Sequence, residues 1–363
     1  MKNLTLAALL FGVTVVIMVL LRPLMPIDET RYLTVAWEMW QGGSKFVPHL
    51  NGDLYSHKPP LLFWLVNAVW AVLGVSETAA RLVGPGFGLL SVGLTAVLAR
   101  QLWPDDAARA GHGALILGTS GVFLLFGSAT MFDAMLAAAV LLGMIAIFRM
   151  RTDVGAGALP VVGLAFSLAL GVLAKGPVIL LHVLPVALLI PLWADRDTRP
   201  GLRGWYGRVA LAVLGALVLV GLWLGPALVL GGAEYREDVL WRQSAGRMVD
   251  SFAHRKPFWF FLALMPLFLW PWGWCRPVLA SLAPARLRGA EPMRFLLVWG
   301  LAALIGFSLV SGKQAHYLVP ELPALALLLS AGVPQGETAR LRRLWLLIPT
   351  FAIFALGLAV AFG

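Results

Sequence analysis

Long apolar runs alternate with short polar breaks along the whole chain. Eleven of the runs are candidate membrane spans: about 3–21, 79–102, 107–127, 131–149, 157–174, 177–193, 208–228, 258–275, 294–311, 317–332 and 344–362. Crossing a hydrocarbon core takes roughly 20 apolar residues in a helix, so the pattern predicts an all-α polytopic membrane protein with about 11 transmembrane helices. A twelfth run, Leu61 to Val75, is only 15 residues long and ambiguous. Residues 4–21 exceed a usual signal-peptide core, and no small-x-small cleavage site follows before Arg22 and Pro23, so they read as a retained first span.

Composition agrees with the pattern. Of 363 residues, 60% are hydrophobic and 13% charged, and mean hydropathy is +0.85, well outside the range of soluble domains. Cys275 is the single cysteine, which excludes an intrachain disulfide and a cysteine-cluster metal site.

The net charge of +10 would suggest nucleic acid in a soluble protein; here its distribution decides. If Leu61 to Val75 does not cross, one side collects 16 of the 28 basic residues, Lys2, Arg100, Arg151 and Arg294 among them, with seven of the 18 acids. By the positive-inside rule that side is cytoplasmic. The amino terminus is then inside and the carboxyl terminus outside. Residues 61–75 lie along or dip into the outer leaflet after the Pro59-Pro60 turn. The expected organisation is a single transmembrane catalytic domain over 1–363, with long outer segments 22–78, carrying juxtamembrane helices, and 229–257. No soluble carboxyl-terminal domain is expected.

Ionisable residues gather at the predicted outer helix ends, where a charge is costly unless used or paired. They are Asp28, Glu29 and Arg31, then His57 and Lys58, Asp133, Lys175, Arg247 and Lys313. Asp28 and Glu29 fit a helix start, where the dipole favours acids; simple capping is the plain alternative. Lys58 stands directly before Pro59-Pro60 and could snorkel to headgroups. Asp133 has no basic neighbour in sequence, which favours a distant partner or catalysis. Lys175 occupies an AKGP turn with nothing else polar nearby and would suit a phosphate. Residues 234–257 mix charge with aromatic side chains and could be an interfacial helix.

Six pieces in order, DETRY (28–32), PHLNGDLYSHKPPLLFWL (48–65), Asp133, AKG (174–176), HRKPFW (254–259) and Ser311 to Ala324, resemble the bacterial branch of the protein mannosyltransferase and aminoarabinose transferase superfamily, the C-type membrane glycosyltransferases. The resemblance implies that fold and an inverting transfer of a sugar from polyprenyl (undecaprenyl) phosphate to an acceptor hydroxyl on the periplasmic face. Lipid A leads among acceptors, ahead of other envelope glycans and glycolipids. Asp28 matches the general base and Asp133 a second carboxylate. Arg31, Lys58, Lys175 and Arg247 are the expected donor-phosphate ligands. Glu29, Tyr32, His57, His254, Lys313 and Tyr317 are expected to line the cavity. His57 stands where aminoarabinose transferases carry an acid, which unsettles a carried-over metal site; no cofactor is required by the sequence. Those relatives also continue into an outer globular domain, whereas this sequence ends at Gly363, so the membrane domain alone or another subunit would hold the acceptor. A lipid-linked sugar flippase would instead place charges at the midplane of duplicated halves, and no repeat is visible. A noncatalytic assembly partner is the third reading.

Overall fold

The computed structural model describes residues 2–152, 157–241 and 255–333. Helices dominate: α1 (Lys2–Leu21), α2 (Asp28–Trp40), α3 (Leu61–Leu73), α4 (Glu77–Arg81), α5 (Val83–Leu102), α6 (Ala107–Gly118), α7 (Gly121–Gly127), α8 (Phe132–Thr152), α9 (Leu159–Lys175), α10 (Val178–Leu188), α11 (Ile190–Trp193), α12 (Leu202–Leu230) and α13 (Gly232–Glu237), with α14 (Glu291–Leu309) and α15 (Leu322–Ser330) after a run of short turns. A 3-10 segment, Ala315–Glu321, leads into α15.

Among the described residues, five helical units are long and apolar enough to cross a membrane: α1, the joined α4 and α5, α8, α12 and α14. Helices α6 and α7, bent by 70°, make a sixth if taken as one span. Of the remaining expected spans, 157–174 forms the unbroken but shorter α9, and others differ from straight helices. Residues 258–275 break into turns at Phe260–Ala263, Met265–Leu269 and Trp272–Trp274, because Pro266 and Pro271 each remove an amide donor from the ladder. Residues 177–193 divide into α10 and α11. The run 344–362 lies outside the described residues. Helix α3 has 13 residues, about 20 Å at 1.5 Å per residue, too short for a core about 30 Å thick.

Helix α8 is the hub, with 89% of its span window buried. It packs antiparallel on α9: Ser167 Oγ donates to the Ala139 carbonyl at 2.7 Å, and a Cβ on Gly143 would stand 2.7 Å from that hydroxyl, so only glycine permits this approach. The two ends of α8 carry different polar clusters. At its far end Arg151 pairs with Glu291 at 2.6 Å, Glu291 accepts from the Asp195 amide at 2.9 Å, and Arg294 bonds Asp195 and the Trp193 carbonyl. Charge counting had put all four of these ionisable groups on one side, opposite Asp133, and they share one end of the bundle.

The segment between α1 and α4 forms a cap. Asn51 (φ 55°) and Gly52 (φ 84°) turn a two-residue hairpin between His49–Leu50 and Asp53–Leu54, the left-handed pair that Asn-Gly favours. Glu38 of α2 accepts from both turn amides, and Asn67 of α3 donates to the Ala36 carbonyl at 2.8 Å. The hairpin, α2 and α3 therefore move as one unit.

Glu29 anchors that unit to the bundle. Its carboxylate, fully buried, takes two bonds from Arg22 at 2.7 and 2.9 Å, one from the Met25 amide at 2.7 Å and one from the Thr130 amide at 2.7 Å. This places Glu29 as a tie between the end of α1, the start of α2 and the approach to α8, with its oxygens committed rather than presented to a cavity. Burial alone would raise its pKa, but Arg22 and the two amides hold it below the ordinary carboxylate value. Its contribution to stability is thus present above the ordinary carboxylate range and lost as pH falls through the lowered value. Glu29→Ala would leave a guanidinium and two amides without their acceptor, and is expected to cost about 3 kcal/mol, read as a lower unfolding temperature of the purified protein in detergent.

Candidate active site

Four separated segments converge where α2 begins, α8 begins and α9 ends. Asp28 is the first residue of α2 and half-buried. Tyr32, one turn on, donates its hydroxyl to Asp28 Oδ1 at 3.1 Å; Oδ2 of Asp28 has no hydrogen bond among the described residues. Burial, followed by the Asp28 charge, pushes the Tyr32 phenol above its ordinary pKa, so it stays a donor. The residue before Asp28 is strained: Ile27 has φ 70°, a conformation that costs a β-branched residue about 1–3 kcal/mol.

Asp133 lies in the first turn of α8 with 1% exposure, and Lys175 is the last residue of α9. Each terminal dipole favours the charge it carries, and the antiparallel register brings the two charges together at 2.6 Å. Asp133 thus has a distant partner, and Lys175, expected to stand alone in its turn, is an ion-pair member. Gly176, at φ 80°, ends α9, and Pro177 precedes α10, as the AKGP turn predicted. The Lys175 ammonium also lies 5.3 Å from the centre of the Tyr317 ring.

Beneath these charges is an aromatic floor. Phe132 meets Tyr32 edge-on at 4.8 Å and Phe63 at 6.0 Å, and Phe63 meets Tyr55 at 6.2 Å. Lys58, half-buried, stands 5.5 Å over the Phe132 ring. His57 is exposed and stacks on Tyr55 at 5.4 Å, facing away from the role of a buried ligand. Arg31 is half-buried one turn from Asp28. Lys313 is 3% exposed and donates to the Lys256 carbonyl at 3.0 Å, joining the loop before the 3-10 segment to residues 255–257, which also pair through Arg255 and Gly312. Arg247 and His254 lie outside the described residues.

One residue at the centre was not singled out from sequence. His316 packs on Tyr317 at 5.1 Å and Phe126 at 5.5 Å, and lies within electrostatic reach of Asp133, Lys175, Lys58 and Asp28. His316 joins the cluster through Tyr317, the ring that lies under the Lys175 ammonium. Its only sequence signal was adjacency to Tyr317. Among the described residues, no group of three His, Cys, Asp or Glu could hold a metal ion.

Comparison with known proteins places this architecture. Residues 57–224 match the family described as dolichyl-phosphate-mannose-protein mannosyltransferase. An undecaprenyl phosphate-α-4-amino-4-deoxy-L-arabinose arabinosyl transferase of Pseudomonas aeruginosa is 31% identical over 346 residues, 91% of this chain and 60% of the relative. A protein of the same description from Proteus mirabilis is 28% identical over 330 residues. Along nearly its whole length the chain is similar to this mannosyltransferase and aminoarabinose transferase group. It shares the membrane glycosyltransferase fold with ArnT from Cupriavidus metallidurans, crystallised with undecaprenyl phosphate, at a TM-score of 0.76 and 23% identity, covering 93% of this chain and 60% of that one. The oligosaccharyltransferase AglB of Archaeoglobus fulgidus aligns at a TM-score of 0.61. The chain spans about 60% of the length of the curated relatives it matches.

The buried ion pair has a stability signature. Lys175→Ala strands a buried carboxylate and should cost about 3–5 kcal/mol, whereas Asp133→Leu with Lys175→Met together should recover most of it. Thermal unfolding of the three proteins checks this; equal melting of the single variant and the parent would contradict the pairing.

Proposed function

We propose that this chain is an inverting glycosyltransferase that takes a sugar from polyprenyl phosphate, undecaprenyl phosphate in a bacterium, and transfers it to an acceptor hydroxyl at the outer face of the inner membrane. The convergence of Asp28, Lys58, Asp133 and Lys175 where α2 and α8 begin and α9 ends, with Lys58 over Phe132 and Lys175 over Tyr317, carries the reading, and the relatives' described activity supports it. Lipid A is the acceptor class implied by the resemblance in sequence. About 11 spans, with the amino terminus inside, would put the site outside.

In this mechanism Asp28 Oδ2 takes the proton of the acceptor hydroxyl while that oxygen attacks the anomeric carbon from the face opposite the phosphate. The bond between carbon and phosphate oxygen breaks, and its electron pair leaves with polyprenyl phosphate. Arg31 and Lys58 are the cations set to meet that charge, and fixed donors do so with little reorganisation. Arg247 remains a ligand proposed from sequence. Lys175 keeps one N–H on Asp133 and has two more for an anion; Asp133 fixes its direction, which assigns the carboxylate to orientation rather than proton removal. Tyr32 steadies Asp28.

Asp28→Asn keeps the shape and the Tyr32 bond but cannot accept the proton, so transfer should fall by roughly 10²- to 10⁴-fold with protein abundance unchanged. Mass spectrometry of lipid A and of the polyprenyl phosphate pool, in a deletion strain complemented with parent or variant, reads the outcome. Undiminished acceptor modification by Asp28→Asn would sink the catalytic reading. Lys58→Ala should instead weaken binding of undecaprenyl phosphate itself, measured by ligand-dependent thermal shift.

A further inference from the structure

Away from the charged site, the bundle interior holds a second titratable pair that the mechanism does not use. His182 of α10 is 1% exposed and Glu321, the last residue of the 3-10 segment, is 7% exposed. His182 Nδ1 and Glu321 Oε1 are 2.6 Å apart. Among the described residues neither His182 Nε2 nor Glu321 Oε2 has a hydrogen-bond partner, so there this single bond is the polar contact of both side chains. Around it the structure is apolar: Glu321 borders a cavity otherwise lined by residues such as Phe268, Leu304 and Leu325. A hydrogen bond in such surroundings is strengthened by the low local dielectric, and its directionality fixes the two elements that carry it.

Both elements lead to the candidate site. Glu321 is four residues beyond Tyr317 in the same 3-10 segment. His182 is seven residues beyond Lys175, across the Gly176-Pro177 turn. The imidazole also packs on Phe307 at 4.9 Å, and Phe307 packs on Tyr317 at 5.8 Å. The bond and the ring stack thus reach Tyr317 from two directions, beneath the Lys175 ammonium at 5.3 Å.

We propose that His182 and Glu321 are positioning residues, a buried tie that holds the Tyr317 ring under Lys175 and so aims the Asp133–Lys175 pair at the reacting groups. The role rests on the glycosyltransferase reading for its consequence in catalysis, but the tie itself is a property of the fold. A tie needs a directional bond and not a charge. Glu321→Gln can keep that bond to His182, and the double variant His182→Leu with Glu321→Leu cannot. Replacing both members by apolar residues also leaves no stranded charge, so folding stability should be retained.

The experiment combines fluorine NMR of protein labelled with 3-fluorotyrosine and transfer kinetics on the same preparations. The chain has five tyrosines, and Tyr317→Phe identifies the resonance of interest. In the double leucine variant that resonance should shift or broaden, and kcat should fall by on the order of 10- to 100-fold at an unchanged melting temperature. Glu321→Gln should resemble the parent in both. A parent-like Tyr317 signal in the double variant overturns the proposal, and so does a Glu321→Gln defect as deep as that of the double variant. If Asp28→Asn retains full transfer, the catalytic reading fails separately, and the Tyr317 resonance still decides whether the tie exists.

Discussion

A single carboxylate sets the distance between the two acids of the candidate site. Glu29 adjoins Asp28 in sequence and binds the amide of Thr130, three residues before Asp133. The same group clamps Arg22 at the end of α1. Asp28 and Asp133 belong to elements more than 100 residues apart, and no other described hydrogen bond ties their local backbones so directly. Burying a charge that deeply is unfavourable unless every lone pair is met, and here four donors meet it. The cap, with α2, the Asn51-Gly52 hairpin and α3, inherits its position from that arrangement.

The site is assembled from helix ends rather than helix middles. Placing Asp133 at the start of α8 and Lys175 at the close of α9 uses both terminal dipoles, and antiparallel packing makes the two ends meet. Gly143 supplies the close approach that keeps this register. The cation of Lys58 sits over an aromatic face, and aromatic rings underlie the remaining charges. Low polarity beneath and fixed charge above is a suitable setting for a charged leaving group, since electrostatic stabilisation gains most where water is scarce.

Much of this was legible from local sequence. The apolar runs gave an all-helical membrane protein, Asn51-Gly52 and Ala174 to Pro177 gave their turns, and charge bias argued against a crossing by the short run Leu61 to Val75. Charge bias put Arg151, Asp195, Glu291 and Arg294 together. What could not be read depended on register between distant helices. Lys175 looked solitary because Asp133 is 42 residues away in sequence, and Glu29 looked like one more cavity acid because Thr130 is 101 residues away. His316 is polar in a short loop, with nothing in its own segment to reveal four charged neighbours. The break of 258–275 was different: Pro266 and Pro271 were in plain view, and overall hydropathy outweighed them.

Ile27 bears on how freely the loop between α1 and α2 can vary. A left-handed residue at the junction reverses the chain sharply enough to point the first turn of α2 back at the bundle, and its side chain is 67% exposed, so packing gives the conformation little support. The geometry is held from its flanks, by Glu29 on one side and α1 on the other. The five residues Pro23 to Ile27 therefore behave as a spacer of fixed length: Glu29 binds Arg22 on one flank and the Met25 amide within it, so adding or removing a residue would break one of these bonds or displace Asp28. Insertions that surface loops ordinarily absorb are resisted here by a carboxylate that grips the loop at both ends.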